Sequence, residues 1–216
     1  MKKIRMGMVG GGQGAFIGAV HRIASQLDNE IELVCGAFSS TADKSIASGK
    51  SLMLDEERCY VDFNTMFAEE AKLPSEQRMQ FVAIVTPNHM HFPAAKAALE
   101  NGFHVLSDKP ATLNLDEVKA LKNIVDDTGL LYGLTHTYTG YPMVKEAQTL
   151  VANGEIGKVR KVIVEYIQGW LSESQDADNK QAAWRTDPSR SGISGCMGDI
   201  GSHAANLVEY VTGKEI

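Results

Sequence analysis

From its first residues to about position 135, the chain alternates short apolar runs with stretches of helical periodicity, and that alternation leaves few folds open. An apolar run at 4–9 stops at Gly10-Gly11-Gly12 and is followed by a helical pattern over 17–27. A second strand pattern at 30–38 closes on Ser39-Ser40-Thr41, and polar helical sequence follows over 42–53. Tyr60-Val61 and a helix over 64–71 come next, then Phe-Val-Ala-Ile-Val at 81–85. This last run is apolar throughout, as expected of a strand buried on both faces of a parallel sheet. A helix over 92–101 ends at Gly102, a strand follows at 104–106, a helix over 115–128 ends at Gly129, and a last strand covers 130–135. Strands spaced by helices of this length predict an α/β fold with a doubly wound parallel sheet, and residues 1–136 read as one nucleotide-binding domain.

The pattern changes after Tyr138. A helix is predicted over 141–152, an alternating strand over 159–166, a long loop over 169–195 and a final amphipathic helix over 200–211. One strand cannot bury a sheet face, so residues 137–216 read as the beginning of a second, incomplete domain.

Composition narrows the partners. The formal charge is −6, from 27 acidic and 21 basic residues, which argues against a nucleic acid or an anionic membrane surface. No apolar run approaches the ~18 residues of a membrane span. The basic start runs straight into glycines, unlike a secretory leader. Three cysteines, Cys35, Cys59 and Cys196, lack metal-like spacing and read as free thiols of a cytoplasmic protein. His89-x-His91 has no carboxylate or cysteine close by in sequence, and Cys196, Asp199 and His203 lack a fourth ligand, so no metal site is expected.

The segment from Val9 to Gly18 follows a strand and opens a helix, which is the context a dinucleotide pyrophosphate needs. Gly10, Gly12 and Ala15 satisfy a Gly-x-Gly-x-x-Gly/Ala pattern, with Gly18 as an alternative third member. Gly10, Gly12, Gln13, Gly14, Ala15, Phe16 and Ile17 are therefore candidate cofactor contacts. The second strand ends without the carboxylate that reads a ribose 2′-hydroxyl. Ser39 and Ser40, with Lys44 nearby, suit a 2′-phosphate, so NAD and NADP both stay open.

Ligands of open α/β sheets lie beyond the carboxyl ends of the strands. Two segments carry polar residues there. Thr86-Pro87-Asn88-His89-Met90-His91 caps the 81–85 strand, with Thr86, Pro87, Asn88 and His91 as candidate cofactor contacts. Asp108-Lys109-Pro110 caps the next strand, and Pro110 biases Lys109 away from the helical region. An ammonium beside a nicotinamide can hold a substrate oxygen or relay a proton. Farther along, Asp199 and His203 stand four residues apart on a predicted helix, so both can converge on one substrate.

Together these residues resemble the Gfo/Idh/MocA oxidoreductases, the glucose–fructose oxidoreductase and inositol dehydrogenase group. The likeness rests on the glycine loop, Thr86-Pro87-Asn88-x-x-His91, Asp108-Lys109-Pro110, Trp184-Arg185-x-Asp187-Pro188 and Gly198-Asp199-Ile200-Gly201-Ser202-His203. It implies a Rossmann domain followed by an α/β domain with an open, mostly antiparallel sheet. It also implies a catalytic set of Lys109, Asp199 and His203. Tyr138, Trp184 and Arg185 are candidate substrate contacts on their own chemistry, since an aromatic face suits the C–H side of a sugar ring and a guanidinium suits hydroxyls or a carboxylate. The expected activity is NAD- or NADP-dependent hydride transfer to or from a secondary alcohol of a sugar, polyol or cyclitol. A non-catalytic NAD(P) sensor and an inactive fragment are the alternatives, and a homo-oligomer formed through the second domain is consistent with the resemblance. This chain departs from the family pattern in three ways: its length, Asp108 in place of Glu, and no arginine at 136–142.

Overall fold

The structure is a computed structural model that describes residues 2–169, 171–173 and 179–216. The chain divides into two compact units, Met1–Leu134 and Thr135–Ile216.

The first unit is built on one parallel sheet of five strands in the order β2-β1-β3-β4-β5. They are β1 (Ile4–Gly10), β2 (Ile31–Ala37), β3 (Phe81–Val85), β4 (His104–Ser107) and β5 (Tyr132–Leu134). The connecting helices are α1 (Phe16–Gln26), α2 (Ala42–Ser51), α3 (Phe63–Lys72), α4 (His91–Glu100) and α5 (Leu115–Thr128). Alternation along β3 explains the double winding. Val82 and Ile84 enter a core shared with Phe67, Leu99 and Phe103 on one face, while Ala83 and Val85 join Met6, Met8 and Phe38 on the other. A strand with apolar residues at both parities has nowhere to sit except the middle of three layers.

Local sequence sets the helix ends. Asn114 Oδ1 accepts from the Glu117 amide at 3.0 Å and Glu117 Oε2 accepts from the Leu113 amide at 2.9 Å, so two amides at the start of α5 are satisfied. Gly129 closes the same helix in the left-handed conformation.

The second unit contains α6 (Pro142–Ala152), α7 (Lys180–Arg185), α8 (Pro188–Ser191) and α9 (Ser202–Thr212). α6 packs on α9, and the Gln148 amide nitrogen donates to the Tyr210 carbonyl at 2.9 Å. A π-helical turn, Met197–Gly201, leads into α9. Two expectations are corrected here. The open, mostly antiparallel sheet is not found: the sheet among the described residues is wholly parallel, and residues 159–166 belong to no ladder. A strand is held by its neighbours, and the described residues of this unit offer none. The loop expected over 169–195 contains α7 and α8, while its positions 170 and 174–178 lie outside the described residues. Among the described residues no helix is long and apolar enough to cross a membrane.

Candidate active site

In the first unit three segments leave the carboxyl ends of neighbouring strands: the glycine loop after β1, Thr86–Asn88 after β3, and Asp108-Lys109 after β4. β1 continues to β2 on one side while β3 lies on its other side, so the loops flank the point where strand order reverses.

The glycine loop is held against two elements. The Gly12 amide donates to the Phe38 carbonyl at 3.2 Å, and the Gln13 amide donates to Ser48 Oγ at 3.1 Å. A Cβ on Gly12 would lie 2.7 Å from both of those oxygens, so this position has no room for a side chain. These bonds tie the loop to the β2–α2 turn carrying Ser39, Ser40 and Lys44. Gln13, Gly14 and Phe16 face solvent.

Gly18 has the closest approach. A Cβ there would come 2.4 Å from the Gly11 Cα and 2.8 Å from its carbonyl oxygen. Ala15, which completes the Gly-x-Gly-x-x-Gly/Ala pattern in sequence, is instead the residue preceding α1. The role of close helix–strand packing therefore falls to Gly18. In an isolated helix, Gly18→Ala would gain up to about 1 kcal/mol of propensity. Here the backbone clash outweighs it, and the variant is expected to lose roughly 1–3 kcal/mol net. A drop in the thermal midpoint checks this, and an unchanged midpoint would mean that α1 shifts aside without cost.

α1 starts without a side-chain cap and without an acidic residue in its first turn. Its first amides are thus open to an anion that brings its own acceptors. At the end of β3, Thr86 Oγ1 and His89 Nδ1 are buried without a hydrogen-bond partner among the described residues. Both features fit a dinucleotide laid across this edge.

His91 was expected to face the cofactor, and its placement differs. The ring is 1 % exposed, with Nδ1 2.6 Å from the Pro110 carbonyl oxygen and Nε2 2.9 Å from that of Thr86. Burial pushes its pKa down, opposed by the two carbonyls and by Asp108. Backbone already occupies both ring nitrogens, so His91 joins the Thr86 and Lys109 loops from beneath. Asn88 is also buried, at 5 % exposure. Lys109 is half-buried, and its backbone amide donates to Asp108 Oδ1 at 3.1 Å. The Lys109–Pro110 peptide is cis.

In the second unit, Asp199 lies in the π-helical turn and His203 in the first turn of α9. Single π turns interrupt helices where local geometry serves a site more often than elsewhere. Arg185 Nε lies 3.4 Å from Asp199 Oδ2, and the Arg185 guanidinium stacks 4.2 Å from the centre of the Trp184 ring. Trp184, Arg185 and Asp199 are thus joined in one group, and His203 belongs to a second with Tyr138. The Tyr138 ring crosses the His203 imidazole at 70° with centroids 4.7 Å apart. Its hydroxyl is hydrogen-bonded to that of Tyr166. That bond, followed by burial, pushes the Tyr138 phenol up to about 12.

Two residues around the imidazole were not anticipated. The His136 ring is 5.7 Å from His203, and the Tyr166 ring is 6.5 Å away. Tyr166 had been read as one position in an alternating strand, where an aromatic residue carries no special meaning. Only its tertiary neighbours mark it.

Comparison with known proteins places this arrangement. Residues 4–136 match the oxidoreductase family with an NAD-binding Rossmann fold, and residues 144–216 match the GFO/IDH/MocA C-terminal domain. An uncharacterized oxidoreductase, YfiI of Bacillus subtilis, is 34 % identical over 99 % of this chain and 54 % of its own length. A levoglucosan dehydrogenase of Pseudarthrobacter phenanthrenivorans is 27 % identical over 99 % of this chain and 52 % of its own. The crystal structure of an inositol dehydrogenase homolog from Azotobacter vinelandii in complex with NAD+ superimposes with a TM-score of 0.93 at 36 % identity. That match covers 98 % of this chain and 54 % of the other. The chain spans about half the length of the curated relatives it matches. With one family model covering its first unit and a second covering most of the rest, the chain belongs to the GFO/IDH/MocA oxidoreductase family.

Proposed function

We propose that the chain carries the cofactor and proton chemistry of an NAD(P)-dependent dehydrogenase acting on a secondary alcohol of a sugar, polyol or cyclitol. One observation carries this reading: the glycine loop, Thr86–Asn88 and Lys109 leave the ends of three adjacent strands, β1, β3 and β4. The loop from Gly12 to Ile17 would carry the pyrophosphate, with the uncapped first amides of α1 as its donors and Gly10 forming the turn before them. Ser39, Ser40 and Lys44 would meet the adenosine ribose, and Thr86, Pro87, Asn88 and Asp108 the nicotinamide half. Without a carboxylate at the end of β2, a 2′-phosphate meets no repulsion there from that strand.

When bound, the nicotinamide supplies the carbon that accepts or returns the hydride. His203 takes the proton of the substrate hydroxyl at a ring nitrogen, the imidazole acting as general base. Lys109 Nζ stabilises negative charge that develops on a substrate oxygen. Asp199 accepts from a second substrate hydroxyl while paired with Arg185. Tyr138 and Trp184 offer aromatic faces to the C–H side of the substrate.

The test has two parts. NADH and NADPH are titrated into the chain by nucleotide fluorescence, and a panel including myo-inositol, glucose and xylose is followed at 340 nm. Saturable binding with turnover of at least one alcohol is expected. Binding without any turnover would favour a nucleotide sensor, and no binding at all would remove the cofactor assignment.

A further inference from the structure

Residues 158–169 belong to no helix or ladder, yet Tyr166 within them is fixed by contact with two residues of the candidate site. Its hydroxyl is bonded to that of Tyr138, and the two rings cross at 76° with centroids 5.6 Å apart. Tyr138 in turn crosses the His203 ring at a steep angle, and the Tyr141 ring stands 6.0 Å from it. Such crossed aromatic pairs have a preferred angle, so a ring held on one side directs the ring on the other. Tyr138 comes from a short turn, Thr137–Gly140, whose backbone packs against α6 and α9. The hydroxyl bond to Tyr166 is what fixes the end of the ring remote from the backbone.

We propose that Tyr166 is a positioning residue for the His203 imidazole, acting through the paired hydroxyls of Tyr138 and Tyr166 to hold the Tyr138 ring across it. The proposal rests on His203 being the general base. A base must present one ring nitrogen to the substrate hydroxyl, and small misorientation is costly when the reacting groups must meet at hydrogen-bond distance.

The experiment uses the whole chain, with Tyr138→Phe, Tyr166→Phe and the double variant. Each keeps its ring and loses only a hydroxyl, and far-UV circular dichroism confirms that it folds. The first readout is the His203 ring-proton resonance, assigned through His203→Gln. In the wild type it is displaced by the Tyr138 ring current. In Tyr166→Phe it should move toward the unstacked position, while His21, His89, His91 and His104 stay in place. An unmoved His203 resonance overturns the proposal, whatever the activity. The second readout is kinetics with NAD+ and myo-inositol, or the alcohol that the panel identifies. Each single variant should lose about tenfold in kcat, or about 1.4 kcal/mol, at unchanged KM. The double variant should lose no more than either single one, because both remove the same bond. A raised KM at unchanged kcat would make Tyr166 a substrate contact and overturn the positioning role. If no alcohol is oxidised, the dehydrogenase reading fails, and the resonance shift still decides whether Tyr166 orders the ring.

Discussion

His203→Ala is expected to lower kcat by about 10²- to 10⁴-fold, the range that general acid–base catalysis usually contributes. The affinity for NADH should stay nearly the same. This split follows from where the residues sit. His203 is on α9 in the second unit, whereas the glycine loop and the Thr86 and Lys109 segments belong to the first. Removing the imidazole takes away the acceptor for the hydroxyl proton and leaves the amides of α1 untouched. Steady-state kinetics and a fluorescence titration of NADH measure the two quantities. Parallel loss of both would mean that the imidazole contributes to nucleotide binding or to folding, and the base assignment would fall.

The largest stability effect is expected away from the site, at Glu70. Its carboxylate is fully buried and accepts four hydrogen bonds. Arg58 donates twice, from Nε at 2.9 Å and from Nη2 at 2.6 Å. The Tyr60 hydroxyl donates at 3.1 Å and the Met79 backbone amide at 2.9 Å. Burial and the nearby carboxylate together push the Tyr60 phenol up, so that ring stays a donor throughout the ordinary pH range. Glu70→Ala leaves a guanidinium, a phenol and an amide in the core without their acceptor. Breaking one half of a buried pair costs about 3–5 kcal/mol. For a chain of this size that is a fall of roughly 10 °C in the melting midpoint. Glu70→Gln should lose less, since the amide oxygen keeps some of the four bonds. A change below about 1 kcal/mol in Glu70→Ala would show that water takes over the carboxylate's role as acceptor.

The first unit was readable because its signals are local. The apolar run at 81–85 coincides with β3, and Gly129 ends α5 where the periodicity stops. The glycine loop and the strand-end segments follow from the same alternation. The second unit was less readable for equally physical reasons. Residues 159–166 alternate like a strand, but alternation cannot supply a pairing partner. α8 lies in sequence rich in polar residues and glycine, and the one usable signal was Asp187-Pro188. There Asp187 accepts from the Ser189 amide at 2.9 Å, and Pro188 occupies the first helical position. His91 was misjudged because its partners are backbone carbonyls, one of them 19 residues distant, which no side-chain pattern reveals. Asp199 lies in a π-helical turn and His203 in α9, where the four-residue spacing alone predicts a single α-helix, because a π turn leaves no side-chain pattern of its own.

The stretch from 158 to 169 bears on how this polypeptide behaves at high concentration. Ile163 and Ile167 are 70 % and 87 % exposed, and Val162 and Val164 are also solvent-facing. Three consecutive β-branched residues with unladdered backbone make the kind of window from which fibrillar aggregates nucleate. Lys161 stands immediately before them and Glu165 immediately after. Charges so placed act as gatekeepers: stacking identical copies in register would bring like charges together at 4.7–4.8 Å. Lys161 and Glu165 therefore add a local barrier to self-association at the window where the exposed β-branched residues favour it.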